Sequence, residues 1–290
     1  MDTLGLHVTP RVTRAVLLSA KGDVRHSAAG EHADPAAAVR AAIRDSGATR
    51  KSDRAAVAMA RAEPAGRAAI AKALGRPLAE VQFVDEGAAA VAVEAWNGAA
   101  RGARHAVCLW IGDTVFAGIL LDGKPWTGAR GLAGSAAWLT LNPVDRQDYR
   151  KYGGLAAEVS DRGIASRIAW RIQAGDRSDV LERAGQLEAI TATHVYEAAR
   201  RGDGVALSVV RDTGRYIGMA AANLANVIDP EVVVIAGPVA AYADLLLEPV
   251  RQECIRRLAP GLADTVRCEM SSLGAEAVAA GAARLAASPS

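Results

Sequence analysis

Asn223-Leu-Ala-Asn-Val-Ile-Asp-Pro-Glu-Val-Val-Val-Ile-Ala-Gly-Pro-Val239 is the stretch on which the fold turns. It closes a helical pattern over Gly204–Ile228, in which Val205, Val209, Ala220, Leu224 and Val227-Ile228 fall near one face. Asp229-Pro230 stops that helix, because proline has no N–H for the next turn and clashes with it. Val232–Ala236 is apolar without alternation, which predicts a strand buried on both faces. Gly237-Pro238 turns the chain into a second helical stretch, Val239–Leu258. A helix, a doubly buried strand and a helix in succession predict an α/β layered fold.

Working outward, Leu4–Val8 and Val12–Ser19, joined by Thr9-Pro10-Arg11, read as adjacent antiparallel strands ending at a Lys21-Gly22-Asp23 turn. A helix is predicted from Asp34-Pro35 to Ser46-Gly47, a strand over Arg54–Ala60 and a helix over Glu63–Leu74. A short buried strand follows over Val81–Val84, and then an Ala-rich helix over Asp85–Arg101 ended by Gly102. The order ββαβαβα makes a half-domain, and the pattern then restarts. His105–Ile111 and Val115–Leu121 form a hairpin, followed by an irregular insertion from Lys124 to Tyr152. Helices are expected over Ala156–Gln173 and Val180–Arg200, a strand over Thr265–Met270 and a helix over Gly274–Ala286. The expected organisation is an N-terminal domain of residues 1–102, with the closing helix 274–290 packed on it, and a larger domain of residues 103–273. Two such halves imply an interdomain cleft suited to a small molecule.

Composition narrows the function classes. The 290 residues are 51% hydrophobic and 23% charged, too apolar for a disordered chain. Thirty-four basic residues oppose 32 acidic ones, so no global field favours nucleic acid or an anionic membrane. With two Phe and 4% aromatics, the core must be built from Ala, Val, Leu and Ile. Cys108, Cys254 and Cys268 form no CxxC pair and read as reduced thiols. His7, His26, His32, His105 and His194 never reach metal-ligand spacing. MDTLGLHVTPRV lacks the pattern of a signal peptide, and Val232–Leu247 is too short and interrupted to span a bilayer. A cytoplasmic protein is expected.

Few motifs carry chemistry. Gly118–Lys124 satisfies GxxxxGK, but Pro125 replaces the Ser or Thr and Gly118 sits within a predicted strand, so Asp122-Gly123 is a turn. Gly112-Asp113-Thr114 is either a phosphate-touching hairpin or a plain tight turn. Asp85 and Glu86 stand where a strand exits into a helix, suited to a general base or to a helix cap. The turn at Gly237 could line a nucleotide or merely connect. Trp96, Trp110, Trp126, Trp138 and Trp170 read as core or lid packing, and no Ser-His-Asp or Cys-His arrangement is legible.

Several segments together resemble the ROK family (repressors, open reading frames and sugar kinases). Asn223–Val239 is similar to its asparagine-rich helix, "NPE" and "IVIGGGV"; Gly118–Gly134 to its "GIILDGKLYRGANGLAGEIGH" segment; Asp85–Gly102 to its "NDANAAALAE" helix; and Leu273–Ala283 to its closing "LG…AGAIGAA". The resemblance implies the actin-like fold, two RNase-H-like domains around a cleft for sugar and ATP, usually as a homodimer.

It also exposes departures. The family's first phosphate loop, DxGGT, falls at His7-Val-Thr-Pro-Arg11, with His7 for the Mg-associated carboxylate and Thr9 and Pro10 for both glycines. The second, GTGVGAG, falls at Gly112–Gly118, where Thr114 and Phe116 replace glycines and Asp113 would repel phosphate. Glu86 takes the position of the catalytic Asp and Asp85 that of a sugar-binding Asn, unless the register slips by one. GEIGH becomes Gly134-Ser-Ala-Ala-Trp138, so Ser135 and Trp138 stand for the sugar-binding Glu and the sugar- and zinc-contacting His. The cysteine zinc segment corresponds to Asp148–Glu158, where only the sugar-contacting Glu158 survives. Regulators of the family carry a winged helix before the first strand, where this chain starts. The expectation is therefore a pseudokinase that binds or senses a sugar-like small molecule, or an interaction protein, as a homodimer without zinc, direct nucleic-acid or membrane contact. The alternative is an ATP- and Mg-dependent sugar kinase with Asp85 or Glu86 as base, Glu158, Ser135 and Trp138 on the sugar, and Gly112, Asp113, Thr114 and Gly237 on the nucleotide. A third reading is a new activity in a cleft made more apolar by Trp138 and Phe116.

Overall fold

The computed structural model describes residues 2–19, 21, 23–31, 34–45, 54–60 and 64–287. The predicted features at Gly22, His32, Ser46-Gly47 and Glu63 lie outside the described residues. Among the described residues the chain is mixed α/β with two five-stranded sheets, and it forms two compact units: Met1–Cys108 with Ala117–Gly134 and Ser272–Ser290, and Leu109–Phe116 with Ser135–Ser271.

The first sheet has the order β3-β2-β1-β4-β5, from β1 (Thr3–Val8), β2 (Val12–Leu18), β3 (Val24–Glu31), β4 (Arg54–Met59) and β5 (Val81–Val84). β1 runs antiparallel to β2 and parallel to β4. Period-two alternation divides β1 between its faces. Leu4, Leu6 and Val8 join a core with Val39 of α1 (Pro35–Asp45) and Ile70 of α2 (Pro64–Leu74). Gly5 lies on the other face beneath α11 (Ala277–Ala287), where a Cβ would sit 1.9 Å from the Ala279 carbonyl oxygen. The sequence pattern misses β3: VRHSAAGE is an exposed edge strand with no buried side to impose alternation.

α3 (Glu86–Asn97) is shorter than its Ala-rich pattern predicts. Glu94 bends its carboxylate onto the Ala99 N–H, and that carboxylate would lie 2.0 Å from any Cβ at position 98, so the helix ends at Gly98. The second sheet has the order β10-β9-β6-β7-β8, from β6 (Ala106–Ile111), β7 (Val115–Leu121), β8 (Lys124–Pro125), β9 (Val232–Ala236) and β10 (Arg267–Met270). Asp122 and Gly123, both at positive φ, make the β7–β8 turn. Gly118 packs on Gly87 of α3, where a Cβ would sit 2.0 Å from the Gly87 carbonyl oxygen. The GxxxxGK match therefore belongs to a hairpin and a helix contact.

After α4 (Gln147–Tyr152), two stretches expected as single helices are divided by internal caps. Ser160 separates α5 (Gly154–Val159) from α6 (Asp161–Gln173) by accepting from the Gly163 N–H. Thr191 starts α8 (Ala192–Arg200) after α7 (Asp179–Ala184). α9 (Gly204–Ile228) also corrects the reading of its face. Val209 and Ala220 are buried as expected, but Val227 is 81% exposed, and the buried residues also include the small Gly214, Gly218, Ala221 and Ala225. The reason is α10 (Ala243–Arg257), whose Val250 carbonyl oxygen would lie 2.7 Å from a Cβ at Gly218. Close helix approach selects missing side chains, which a search for bulky apolar residues overlooks.

Candidate functional site

The first unit brings His7 of β1 to Glu86 at the first turn of α3. His7 is fully buried and its Nε2 lies 2.8 Å from Glu86 Oε1, itself in a residue only 6% exposed. Asp85 is the helix cap, accepting from the Ala88 N–H at 2.9 Å. Burial pushes its carboxyl above the usual range, and the charge on Glu86 adds to this against the backbone hydrogen bonds. The two adjacent acids thus divide the roles left open in the sequence: one caps, the other pairs with a histidine.

The β1–β2 hairpin decides what this corner can bind. Thr9 Oγ1 accepts from the N–H groups of Arg11 and Val12 and donates to the Val12 carbonyl. The Thr9 N–H also reaches that carbonyl, at 3.0 Å. Pro10 has no N–H, so every backbone donor from residue 9 to residue 12 is absent or already bonded inside the turn. A phosphate cradle works by leaving such donors free for oxyanions. No backbone donor of this turn is left for a phosphate oxygen, and the position where the family resemblance expects a metal-associated carboxylate is the buried imidazole of His7.

In the second unit, Gly112-Asp113-Thr114 links β6 to β7, with the Gly112 N–H bonded to the Thr114 carbonyl. The Gly112 carbonyl accepts from the Asp161 N–H at the start of α6. A Cβ at Gly112 would lie 2.9 Å from Pro238, and one at Gly237 would lie 2.5 Å from the Ile111 carbonyl oxygen. These two glycines serve the contact of one turn with the other. Phe116 stacks on Trp110, with centroids 5.8 Å apart. The Thr114 hydroxyl is buried without a hydrogen-bond partner among the described residues.

Glu158 on α5 is the centre of a buried polar cluster in this unit. It is 3% exposed and is met by Arg146 Nη2 at 2.8 Å, Arg167 Nε at 3.3 Å and the Tyr149 hydroxyl in a short hydrogen bond. Burial, then the bond to Glu158, pushes the Tyr149 phenol up to about 12, so it stays a donor through the physiological range. Arg167 also donates to the Glu158 carbonyl and to Thr213, while Arg146 reaches Asp148 and lies over the Tyr149 ring. Sequence reasoning named Glu158 but missed Arg146, Tyr149 and Arg167. The only available signal was that an acid buried this deeply needs cationic partners. Ser135 precedes and Trp138 ends a 3₁₀ turn that packs against α5; both are exposed, Trp138 by 58%. Among the described residues no group of three or more His, Cys, Asp or Glu is placed to hold a metal, and no helix is long and apolar enough to cross a membrane.

The model of the ROK family matches residues 23–288. The chain belongs to the ROK family. Among ROK relatives, a glucokinase from Halalkalibacterium halodurans is 33% identical over 63% of this chain, and the xylose repressor of Caldicellulosiruptor bescii 29% identical over 69%. The matched segments span only 56% and 50% of those proteins' own lengths. A Streptomyces griseus ROK glucokinase, solved with glucose and AMPPNP, superposes with a TM-score of 0.85 at 23% identity, covering 99% of both chains. The fold is thus that of the ROK sugar kinases, the actin-like ATPase fold.

Proposed function

We propose that this ROK-family chain is a pseudokinase, which binds a small molecule of the sugar class without transferring phosphate to it. The observation that carries the reading is the β1–β2 hairpin, whose donors from Thr9 to Val12 are bonded internally or removed by Pro10. Phosphoryl transfer needs a phosphate cradle, a metal carboxylate and a base together. The buried His7–Glu86 pair supports the loss of the second and ties up the candidate for the third. Exposed Ser135 and Trp138 are the proposed sugar contacts; Glu158, held by two arginines, anchors the segment next to them. Homodimerisation is part of the proposal and is read by light scattering.

The test measures ADP release from Mg·ATP with a panel of aldoses and amino sugars, beside thermal shifts with the same sugars. The expected result is no sugar-dependent ADP release, together with a raised melting temperature for at least one sugar that Trp138→Ala abolishes. Sugar-dependent turnover lost in Asp85→Asn or in Glu86→Gln would overturn the proposal in favour of a kinase. One observation favours that second reading: the raised carboxyl of Asp85 suits a general base.

A further inference from the structure

α9 and α10 wall a cavity of about 1050 Å³ in the second unit, lined by six arginines and four carboxylates. The buried carboxylates are each gripped twice: Glu158 by Arg146 and Arg167, Glu253 by Arg256 and Arg257. Asp212 is shared by Arg167 and Arg215. Arg211 faces the cavity with no carboxylate partner among the described residues. The C-terminal end of α10 accounts for Arg256 and Arg257, because cations there complement the helix dipole. It does not account for Arg211, which stands one turn from Arg215 on α9, where like charges repel. The lining also includes Leu207 and Met219, an apolar surface for the non-ionic part of a ligand.

We propose that this cavity binds a small organic anion carrying at least two negative charges, as phosphate or carboxylate groups. Arg211, Arg215, Arg256 and Arg257 hold it, since planar guanidinium forks match both groups. Ser135, Trp138 and Asp85 do not line this cavity, and the proposal stands whether or not phosphoryl transfer survives.

The experiment is titration calorimetry at constant ionic strength with pyrophosphate, citrate and, as a neutral control, glycerol. Pyrophosphate or citrate is expected to bind with a Kd below 1 mM, about tenfold weaker in Arg211→Gln and weaker again with Arg215→Gln added. Arg211 has no carboxylate to abandon, so this substitution leaves the fold intact, which circular dichroism checks. Binding of pyrophosphate alone identifies a phosphate ligand, of citrate alone a carboxylate ligand, and of both a site that reads charge number. Absence of binding by either, or an affinity indifferent to both substitutions, overturns the proposal.

Discussion

Glu158→Gln separates a carboxylate kept free for a ligand from one fixed by the fold. In the structure the Glu158 side chain is 4% exposed, that of Arg167 12% and that of Arg146 32%. Breaking a buried pair typically costs about 3–5 kcal/mol, because the abandoned charge stays buried. Gln keeps one oxygen for the Tyr149 and Arg146 bonds, and Arg146 is partly solvated and still has Asp148. The expected cost is therefore roughly 2–4 kcal/mol. With a denaturant dependence of about 2 kcal/mol per molar, the urea midpoint at pH 7 should fall by roughly 1–2 M. Adding Arg167→Gln should cost less than the sum of the two single changes, since the second removes a charge already abandoned. A midpoint within about 0.2 M of the parent would refute the reasoning and return Glu158 to the role of a free sugar-gripping group.

Asp85→Asn should be neutral or stabilising by a few tenths of a kcal/mol, because Asn caps as well and brings no buried charge, whereas Asp85→Ala should cost about 1 kcal/mol; thermal melts at pH 7 read both. Thr9→Val should destabilise by about 0.5–1.5 kcal/mol, the net worth of hydrogen bonds at a half-exposed turn, measured by urea unfolding. Gly218→Ala should lose about 1–3 kcal/mol by pushing α10 off the Val250 carbonyl, while Gly204→Ala, open to solvent, should lose nothing. In an ultraviolet titration Tyr149 should ionise near pH 12, a phase that Tyr149→Phe deletes. Its folded value lies above the unfolded value near 10, so the stability it confers is complete below pH 10 and lost as pH rises toward 12.

The apolar runs of β1 and β9 were legible because burial on both faces writes a block of apolar residues into such strands. Edge strand β3 was not, since no core selects its residues. The internal helix stops were visible only as single residues: Ser160, Thr191 and the reach of Glu94 beyond its own helix. In the candidate site, Asp85, Glu86 and Glu158 could be named from their places in the motifs. Arg146, Tyr149 and Arg167 could not, because they meet Glu158 from 12, 9 and 9 residues away through folds of the chain that have no fixed spacing.

Helix α11 has a consequence for synthesis. It packs on β1, β4 and α3, with Arg54 of β4 donating to the Ala286 carbonyl at 2.7 Å. Gly5 and Gly281 let it press closely against sheet and helix, where a Cβ at either would lie 1.9 Å from a backbone carbonyl oxygen. Yet almost 170 residues are translated between the end of β6 and its first turn. At typical elongation speeds of about 5–20 residues per second, the apolar floor beside Gly5 waits roughly 8–34 seconds for its cover. A nascent chain is exposed to chaperones or to its neighbours on the polysome for that interval, and a stop codon before Ala277 would make the exposure permanent.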